Sequence, residues 1–567
     1  MSKIIVVGGV AGGASAAARI RRLDAKAEIV MFERGEHVSF SNCSLPYYLG
    51  GDVKNSDALV MMTPDSFKKR HNIDVRVGSE VVDILRSEKT VVVKEQGSGR
   101  EYKESYDKLV LAPGASAVVP KSISGTDLKH VFTVRNVTDI CAVKSYIDAT
   151  DAQNITVAGA GFVGIEIAEN LKKVGKNVTI VEGADQVMAP FDYDMAQLLH
   201  KELVDQGINL YLSSMVKAIT ETSVRAERNG ETINIPADVV VLSIGVKAET
   251  DLPLKAGLEI GNYGGIKVNH NYQTNDPDIY AVGDAVETYS RLGLHYGSFA
   301  QAGPAQRQAR AAADHICGIY HNNKGYIATS CLRVFEQNAA CTGLNEKVLK
   351  IAKIPYDVAY VLPPDKVSII PGAHYMSFKL IYEVPTGRIL GAQAIGKGDV
   401  VRRIDVIATL ITMNGTLEDL KEMELCYSPV YGTAKDVVNQ AALVGLNLLY
   451  GKSKQVRVDK VRELVESGAY IVDVREEREY AAGHLKNAVN IPLTQLKGRM
   501  DEIPKDIPVY VHCRTSQRSY YALCELQGNG YRNIVNISGS FLGICLYEYY
   551  NDQAEKREPI VTAYNFA

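Results

Sequence analysis

Two of the nine cysteines lie in sequence contexts that favour thiol chemistry. Cys43 stands in a polar, helix-starting segment, residues 39–48 (SFSNCSLPYY), and Cys513 opens residues 513–518 (CRTSQR) directly after an apolar run. A helix start lowers the pKa of a thiol and so favours the thiolate, which is the nucleophilic form. We therefore interpret both cysteines as reactive, although an isolated cysteine is more often a small buried apolar residue.

The spacing of the cysteines indicates that each works singly. The closest pair, Cys331 and Cys341, is ten residues apart, which excludes a C-x-x-C redox pair and a zinc knuckle. An odd number of cysteines in a reducing compartment also argues against structural disulfides. The sequence predicts no metal site.

A dinucleotide site is predicted around residues 155–182. Gly159, Gly161 and Gly164 form a complete G-x-G-x-x-G between a strand pattern and a helix pattern. Such glycines allow a tight turn and bring backbone N–H groups to a pyrophosphate. Glu182, at the end of the next strand, would bind the ribose hydroxyls and repel a 2′-phosphate, so the pattern favours NADH over NADPH. The alternative is a glycine-rich turn that binds nothing.

A second dinucleotide site is predicted at the N-terminus, where a similar turn lacks its central glycine but is followed by a strand that ends in an acid. Two dinucleotides in one chain imply electron exchange, so the second is most simply FAD. Asp284 could place its carboxylate on the ribityl chain, or it could be a helix cap. The predicted contacts at this site are Gly8, Gly13, Glu33, Asn42, Ala112, Gly283 and Asp284.

The composition excludes several classes of protein. The 567 residues are 46% hydrophobic and carry a net charge of -3, so no nucleic-acid partner is expected. No segment is apolar over the length of a membrane span. Because Met1 is followed directly by a strand pattern, which leaves no room for a signal peptide, we expect a cytoplasmic protein. A chain longer than about 300 residues is expected to form several domains.

These motifs resemble the single-cysteine branch of the pyridine nucleotide-disulfide oxidoreductases, specifically coenzyme A-disulfide reductases fused to a rhodanese domain and NADH-dependent persulfide reductases. The resemblance covers essentially the whole chain, and residues 39–48 are its most specific motif. It implies an α/β fold with two Rossmann-like domains for FAD and NAD, an α+β dimerisation domain and a C-terminal α/β rhodanese domain. The predicted ranges are 1–150 and 246–325 (FAD-binding), 151–245 (NAD-binding), 326–450 (dimerisation) and 456–560 (rhodanese).

The resemblance also implies a site for coenzyme A, as substrate or as a tightly bound molecule. Arg19 and Arg22 are one helical turn apart and could bind phosphates, or they could form a solvated basic helix face. The residues that the resemblance assigns to this site are Ser15, Arg19, Arg22, Ser39, Asn42 and Lys435. A basic cluster, Lys68, Lys69, Arg70 and His71, could complete the phosphate site through one of its members.

Residues 425–436 resemble the part of the dimerisation domain that reaches the partner subunit's active site in a homodimer. The resemblance places Tyr427 near the flavin and Cys43, where its phenol could protonate a leaving thiolate, and Lys435 near coenzyme A. Ordinary interface packing is the alternative for Tyr427. Residues 369–373 read Ile-Ile-Pro-Gly-Ala where the family often has a tyrosine pair, so a second tyrosine acid is lost. That loss weakens the case for disulfide cleavage more than the case for persulfide reduction.

Residues 470–475, 479–485 and 488–492 look like rhodanese motifs, and residues 513–518 like the reactive loop of that domain. A six-residue loop that closes onto a helix start points backbone N–H groups at the cysteine sulfur, and Arg514 and Arg518 add positive charge. A merely structural domain of this type would be expected to lack Cys513. Trp is absent from the chain, and Phe541 or a nearby tyrosine is the predicted replacement for the usual C-terminal one.

The combined interpretation is an NADH- and FAD-dependent enzyme that reduces sulfane sulfur in persulfides, polysulfides or coenzyme A-persulfide to sulfide and thiol. Electrons would pass from NADH through FAD to Cys43, and Cys513 would carry sulfane sulfur. One alternative is a coenzyme A-disulfide reductase. Another is an NADH oxidase or peroxidase whose cysteine cycles through a sulfenic acid. A third is a sulfur-carrier or redox-sensing protein with incidental turnover.

Overall fold

A computed structural model describes residues 2–292, 296–320 and 323–566. The chain forms two compact units, the first from Met1–Ala184 and Tyr211–Tyr326 and the second from Asp185–Leu210 and Ile327–Ala567. Within the described ranges, every helix is too short or too polar to cross a membrane.

The helices and strands are numbered along the chain. Those up to residue 150 are β1 (Lys3–Val7), α1 (Ala11–Leu23), β2 (Glu28–Phe32), α2 (Leu45–Leu49), α3 (Pro64–His71), β3 (Asp74–Arg76), β4 (Ser79–Leu85), β5 (Thr90–Glu95), β6 (Glu101–Ser105), β7 (Lys108–Leu111), β8 (Ala115–Ala117), β9 (Val131–Thr133) and α4 (Val137–Thr150). Those from there to residue 320 are β10 (Asn154–Ala158), α5 (Phe162–Lys173), β11 (Asn177–Val181), α6 (Tyr193–Asp205), β12 (Asn209–Tyr211), β13 (Met215–Ile219), β14 (Ser223–Arg228), β15 (Glu231–Pro236), β16 (Val239–Leu242), β17 (Val246–Ala248), α7 (Asp251–Lys255), β18 (Ile279–Ala281), β19 (Thr288–Tyr289), β20 (Tyr296–Gly297) and α8 (Ala302–Ile316).

The second half of the chain continues this numbering. Its elements up to residue 450 are β21 (Ser330–Val334), β22 (Gln337–Gly343), α9 (Glu346–Ala352), β23 (Tyr356–Val361), β24 (Met376–Glu383), β25 (Ile389–Gly396), α10 (Val400–Met413), α11 (Leu417–Glu422) and α12 (Val437–Leu449). The remainder are β26 (Gln455–Val456), α13 (Val461–Glu466), β27 (Tyr470–Asp473), α14 (Glu477–Ala481), β28 (Val489–Asn490), α15 (Leu496–Arg499), β29 (Val509–His512), α16 (Gln517–Gly528), β30 (Ile534–Ile537) and α17 (Ser540–Glu555).

Two parallel sheets organise the first unit. One has the strand order β18-β7-β1-β2-β3, and every neighbouring pair in it is parallel. The other has the order β12-β11-β10-β16-β9, with β10 parallel to β11 and β16. The central strands β1, β7, β10 and β16 are apolar runs buried on both faces, as is usual in parallel sheets. In a parallel sheet the carboxyl ends of all strands lie at one edge, which is where ligands bind in such folds.

The second unit contains an antiparallel sheet of order β21-β22-β25-β24-β23 and a parallel sheet of order β26-β30-β29-β27-β28. The first carries the helices α10 to α12, and the second alternates strands with helices. These architectures confirm the predicted fold class. The domain boundaries drawn from the sequence stay predictions. Residues 423–436 form no helix and separate α11 from α12.

A buried cluster of ionised groups holds the second unit together. The ammonium group of Lys379, which is fully buried, lies 2.6 Å from Asp194, 2.6 Å from Glu346 and 3.0 Å from Asp192. Arg457, at the start of the C-terminal sheet, donates two hydrogen bonds to Glu346. Burial opposes ionisation of Glu346, yet the two cations lower its pKa to about 2. The space among the three carboxylates is therefore filled by an ammonium group.

We expect Lys379→Met to destabilise the protein by about 3–5 kcal/mol, because three carboxylates would lose the buried cation that they share. The free energy of unfolding of the second unit, measured by urea denaturation, tests this. Lys397→Met is the matched control, since Lys397 forms an exposed ion pair with Glu336 and its loss should cost about 0–1 kcal/mol. Equal losses in the two variants would contradict a structural role for the cluster.

Candidate active site and sulfur-carrier loop

The turn between β1 and α1 is built from close backbone contacts that only glycine permits. A Cβ added to Gly8 would lie 2.1 Å from the carbonyl oxygen of Ala112, and one added to Gly13 would lie 1.8 Å from the carbonyl oxygen of Gly8. Gly8 also has a positive φ of 93°. The end of β7 is therefore in contact with this turn, which places Ala112 beside it as the sequence suggested.

The turn between β10 and α5 has the same construction. Gly159 has a φ of 106°, and a Cβ there would lie 2.3 Å from the carbonyl oxygen of Ser243. A Cβ on Gly164 would lie 2.1 Å from the carbonyl oxygen of Gly159, so the helix packs directly on the strand end. At Gly161 a Cβ would meet nothing within 4 Å. Gly161 thus faces open space beside the N-terminus of α5, where a pyrophosphate fits.

A carboxylate is oriented in the same way at both turns. Glu33, after β2, accepts the backbone N–H of Gly9 at 2.8 Å and that of Gly35, two residues after itself, also at 2.8 Å. Glu182, after β11, accepts the N–H of Ala160 at 2.7 Å and that of Ala184, two residues after itself, at 2.8 Å. Both carboxylates are therefore fixed beside the turn. The residues present fit two dinucleotides, one at each sheet edge.

Asp284 follows β18, at the same sheet edge as the first turn. It lies within a single 3-10 turn, Gly283–Ala285, and makes no helix cap there. Its carboxylate is 3.4 Å from the guanidinium group of Arg135. Burial raises the pKa of Asp284, and Arg135 partly offsets this. Gly283, whose φ is 86°, donates its N–H to Gln308 at 2.7 Å.

The loop that carries Cys43 is attached to the first glycine turn by its backbone. Ser39, which has a positive φ of 51°, donates its N–H to the carbonyl oxygen of Gly9 at 2.8 Å. Ser41 donates its N–H to Leu59 at 2.8 Å. Cys43 itself lies in a 3-10 turn, Asn42–Ser44, immediately before α2 and is exposed. Cys43 and Asn42 are therefore close to the first dinucleotide turn.

The helix after Cys43 packs against the helix of the second dinucleotide turn. A side chain at Gly50, just after α2, would collide with Asn170 of α5, whose Oδ1 would be 2.2 Å from the added Cβ. The same helix α5 carries Glu166, whose charge acts on the Cys43 thiol. Cys43 is thus held between the two nucleotide-binding turns.

The prediction that the thiol pKa of Cys43 is lowered was wrong. Cys43 is exposed as a residue, but the surrounding protein partly desolvates its sulfur, which raises the pKa. The carboxylates of Glu166 and Asp284 raise it further, and Arg135 opposes them. The polar surroundings identified in the sequence are real, but the nearest charges are negative because two other elements bring carboxylates to the site. Burial, together with Glu169, raises the pKa of Glu166 to about 7.

The residues predicted to bind coenzyme A fall in both units. Ser15, Arg19 and Arg22 lie along α1, and the Nε of Arg19 donates to the buried carboxylate of Asp314 at 2.5 Å. Arg21, which the sequence analysis did not select, donates to the carbonyl oxygens of residues 71 and 72 and so joins α1 to the basic end of α3. Residues 68–71 form the last turn of α3. Coenzyme A binding by these residues stays a prediction.

Tyr427 and Lys435 belong to the second unit, in the non-helical segment between α11 and α12. The side chain of Tyr427 is 53% exposed. The carbonyl oxygen of Lys435 accepts hydrogen bonds from Thr433 and Gln440, which shape the turn before α12. The roles predicted for Tyr427 and Lys435 in a partner's site stay predictions.

Cys513 lies at the carboxyl end of β29, and the loop from it leads into α16. Only 1% of Cys513 is exposed. Arg518 forms a double ion pair with Glu479, at 2.6 and 2.7 Å, and this pairing raises its pKa. Arg514 donates to the carbonyl oxygen of Asn565 at 3.1 Å, and burial lowers its pKa. Both arginines are therefore engaged by other groups, and Arg518 also interacts electrostatically with Cys513.

Three serine hydroxyls, which the sequence analysis missed, surround Cys513. Ser519 and Ser540 lie 3.6 and 3.9 Å from its sulfur, and Ser516 is hydrogen-bonded to Ser540 at 3.1 Å. Ser519 adjoins the loop motif and could have been found from it. Ser540 lies 27 residues from the cysteine and gave no signal. Phe541, the predicted tryptophan replacement, is buried with the guanidinium group of Arg475 4.0 Å above its ring.

Comparison with known proteins identifies the family. The sequence profile of pyridine nucleotide-disulphide oxidoreductases matches residues 2–309. The chain belongs to this family. The profile of the family's dimerisation domain matches residues 330–437, and that of rhodanese-like domains matches residues 457–546. The family resemblance inferred from the sequence motifs is confirmed. The protein is an oxidoreductase that uses FAD and NAD(H) and carries a rhodanese-like domain.

Two solved structures resemble the chain over nearly its whole length. Reduced Bacillus anthracis CoADR-RHD is 42% identical, with a TM-score of 0.93 over 97% of this chain and 98% of that one. An NAD-dependent persulfide reductase from A. fulgidus is 35% identical, with a TM-score of 0.90 over 95% of this chain and 99% of that one. A coenzyme A disulfide reductase of Staphylococcus haemolyticus is 32% identical over 443 residues, which are 77% of this chain and 98% of that protein.

We expect Glu182→Ala to weaken NADH binding about tenfold and to reduce discrimination against NADPH, because the ribose hydroxyls lose a charged acceptor. Steady-state KM values for the two nucleotides measure this. Glu33→Ala is the matched variant, since Glu33 has the same geometry at the other turn. It should lower the flavin content instead. The assignment of the two turns is contradicted if Glu182→Ala releases flavin while Glu33→Ala changes only the NADH KM.

The pH dependence of Cys43 reactivity tests the electrostatics of the site. Glu166 is ionised above a pKa of about 7, and its charge raises the thiol pKa of Cys43. Glu166→Gln should therefore speed alkylation of Cys43 by iodoacetamide above pH 7 and leave it nearly unchanged below pH 6. Labelling of the Cys43 peptide is followed by mass spectrometry.

Glu169→Gln is the control for this experiment. This variant keeps the carboxylate of Glu166 but removes the Glu169 charge that raises the pKa of Glu166. Glu166 should then ionise at a lower pH, so its slowing effect on the alkylation of Cys43 should begin at a lower pH than in the parent protein. Identical alkylation profiles in all three proteins would contradict the proposed influence of Glu166.

Proposed function

We propose that the protein reduces sulfane sulfur, as a persulfide, polysulfide or coenzyme A-persulfide, to sulfide and thiol at Cys43, with Cys513 as a sulfur carrier. The observation that carries this proposal is the presence of two cysteines in distinct chemical settings on one chain. Cys43 adjoins the first dinucleotide turn of the oxidoreductase, and Cys513 is buried in a rhodanese-like loop that also carries Arg514 and Arg518. A disulfide reductase needs no second sulfur-binding loop.

The overall reaction balances without a further reactant. A persulfide RSSH, one NADH and one proton yield RSH, H2S and NAD+. The thiolate of Cys43 attacks the substrate, so that one S–S bond breaks, another forms on Cys43 and one thiol or sulfide leaves. FAD, when bound, supplies the electron pair of NADH to the sulfur on Cys43. Glu166, with a pKa of about 7, lies where it can hold a proton near this sulfur at neutral pH.

We further propose that Ser15, Arg19, Arg22, Ser39, Asn42 and Lys435 bind coenzyme A and that the protein acts as a homodimer. The similarity to a coenzyme A disulfide reductase and the match to the dimerisation domain support these proposals. In a homodimer, Tyr427 of one protomer would reach the partner's site and protonate the leaving thiolate. Its large exposed fraction in the single chain is consistent with such a contact.

Coenzyme A disulfide reduction is the second candidate function. The Staphylococcus haemolyticus relative favours it, but that relative covers only 77% of this chain. The NAD-dependent persulfide reductase of A. fulgidus covers 95% and the Bacillus anthracis CoADR-RHD structure covers 97%, so coverage of the C-terminal domain does not separate the two functions. Residues 369–373 lack the tyrosine pair expected for the disulfide-cleaving role. This departure favours sulfane sulfur as the substrate.

We expect NADH oxidation to be at least tenfold faster with coenzyme A-persulfide or polysulfide than with coenzyme A disulfide or hydrogen peroxide. NADH absorbance and sulfide release are measured together for the four substrates at equal concentration. Cys43→Ser should abolish both signals, because no nucleophile remains beside the flavin turn. Cys141→Ser, which changes another cysteine of the first unit, is the control. Faster turnover with coenzyme A disulfide, or sulfide release by Cys43→Ser, would refute the proposal.

A further inference from the structure

Two serines beside Cys513 have a backbone conformation that side chains disfavour. Ser516 has a φ of 73° and Ser540 a φ of 50°, both in the left-handed region where glycine is the usual residue. Strain of this kind persists where the surroundings enforce it, and it clusters at functional sites. A glycine at either position would remove the strain, so the serine side chains call for a reason of their own.

The side chain of Ser540 contacts the reactive cysteine at two points. Its Oγ accepts the backbone N–H of Cys513 at 3.2 Å and lies 3.9 Å from the sulfur. The Oγ of Ser519 lies 3.6 Å from the sulfur and 3.5 Å from that of Ser540. Both serines are fully buried, as is the thiol between them. A negative charge on this sulfur therefore depends on protein donors rather than on bulk water.

The start of α17 is locked onto the loop, which keeps Ser540 in place. Phe541 donates its N–H to the carbonyl oxygen of Cys513 at 3.0 Å, and Leu542 donates to that of Arg514 at 3.1 Å. Gly539 packs so tightly on the ring of Tyr360 that an added Cβ would lie 2.8 Å from it. Two backbone hydrogen bonds and a ring contact thus hold the strained turn.

Each hydroxyl proton has a carbonyl oxygen and the sulfur among its possible acceptors. Ser540 can donate to the carbonyl oxygen of Ile537, at 3.4 Å, or to the sulfur. Ser519 can donate to the carbonyl oxygen of Ser516, at 3.2 Å, or to the sulfur. Charge-assisted hydrogen bonds are the stronger kind, so an anionic sulfur competes better for both protons than a neutral thiol does.

We propose that Ser540, assisted by Ser519, is a positioning residue of the sulfur-carrier loop, whose hydroxyl fixes Cys513 and donates to its sulfur when that sulfur is a thiolate or a persulfide anion. This inference rests on the proposed carrier role of Cys513. It explains why a strained serine stands at position 540, where glycine would be easier to accommodate.

Thiosulfate and cyanide are suitable probes of this chemistry. The Cys513 thiolate attacks the outer sulfur of thiosulfate, the S–S bond breaks, and sulfite leaves with the electron pair. Cyanide then attacks the terminal sulfur of the persulfide, forms thiocyanate and restores the thiolate. One negative charge is present before and after each step, on the Cys513 sulfur in the thiolate and mainly on the outer sulfur in the persulfide, so the two hydroxyls face an anionic group throughout.

The decisive variant is Ser540→Gly in the full-length flavoprotein. Relief of the backbone strain should offset the loss of the acceptor for the Cys513 N–H, so the thermal midpoint should change little. Sulfur transfer from thiosulfate to cyanide should fall about tenfold, and the pH at which persulfide formation on Cys513 reaches half its maximal rate should rise by about one unit. Mass spectrometry of the Cys513 peptide measures that pH profile. NADH oxidation through Cys43 should not change.

The charged and titratable groups around Cys513 are retained in this variant, so they cannot account for the shift. They come from the loop itself and from α14, β27, β29 and α17, and they are Arg514, Arg518, Glu479, Asp473, Arg475, His512 and Cys545. Ser519→Ala should move the same profile in the same direction. Asn487→Gly is the matched control, because exposed Asn487 also has a positive φ, of 65°. It should leave sulfur transfer unchanged.

Each outcome has a distinct meaning. Unchanged sulfur transfer and an unchanged pH profile in Ser540→Gly, with an active parent protein, would overturn this inference and leave the proposed function standing. A lower thermal midpoint together with lost transfer would also overturn it, because the hydroxyl would then be structural. A parent protein that forms no persulfide on Cys513 would overturn the carrier role and this inference together.

Discussion

The backbone attachment of the Cys43 loop to the first glycine turn is the contact on which the reductase site depends. One hydrogen bond, from the N–H of Ser39 to the carbonyl oxygen of Gly9, places the loop, and the positive φ of Ser39 gives it its direction. On the other side, the contact of Gly50 with Asn170 sets the distance to the second turn. The thiol therefore lies between the two nucleotide-binding turns and is held there by noncovalent contacts. A larger side chain on either side would displace the Cys43 loop.

The two sulfur sites differ in the charges that surround them. Cys43 faces carboxylates, so its thiol form is favoured at neutral pH, which protects an exposed cysteine from oxidation while it is not in use. Cys513 lies beside serine hydroxyls in a loop that carries two arginines, but is shielded from solvent. One site is thus protected by electrostatics and the other by burial. Sulfur could therefore act as a redox group at Cys43 and be the transferred atom at Cys513.

Local patterns predicted the parts of the structure that depend on local physics. The glycine turns, the strands that flank them and the acids at Glu33 and Glu182 could all be identified, because each requires particular residues at short spacing. Contacts between distant residues could not. The carboxylates that raise the pKa of Cys43 come from other elements, and the partner of Arg19 lies 295 residues away. Ser540 was missed for the same reason, since a serine at a helix start is ordinary until the fold brings it to a sulfur.

The position of Arg457 has a consequence for how such a chain can evolve. This arginine lies just beyond the linker to the last domain, yet it neutralises Glu346 inside the preceding one. A gene truncated at the linker would encode a protein with an under-compensated negative charge in its interior. Loss of the domain would have to be accompanied by substitution of Glu346 by a neutral residue. The C-terminal domain is therefore easier to acquire than to lose in a chain that carries this glutamate.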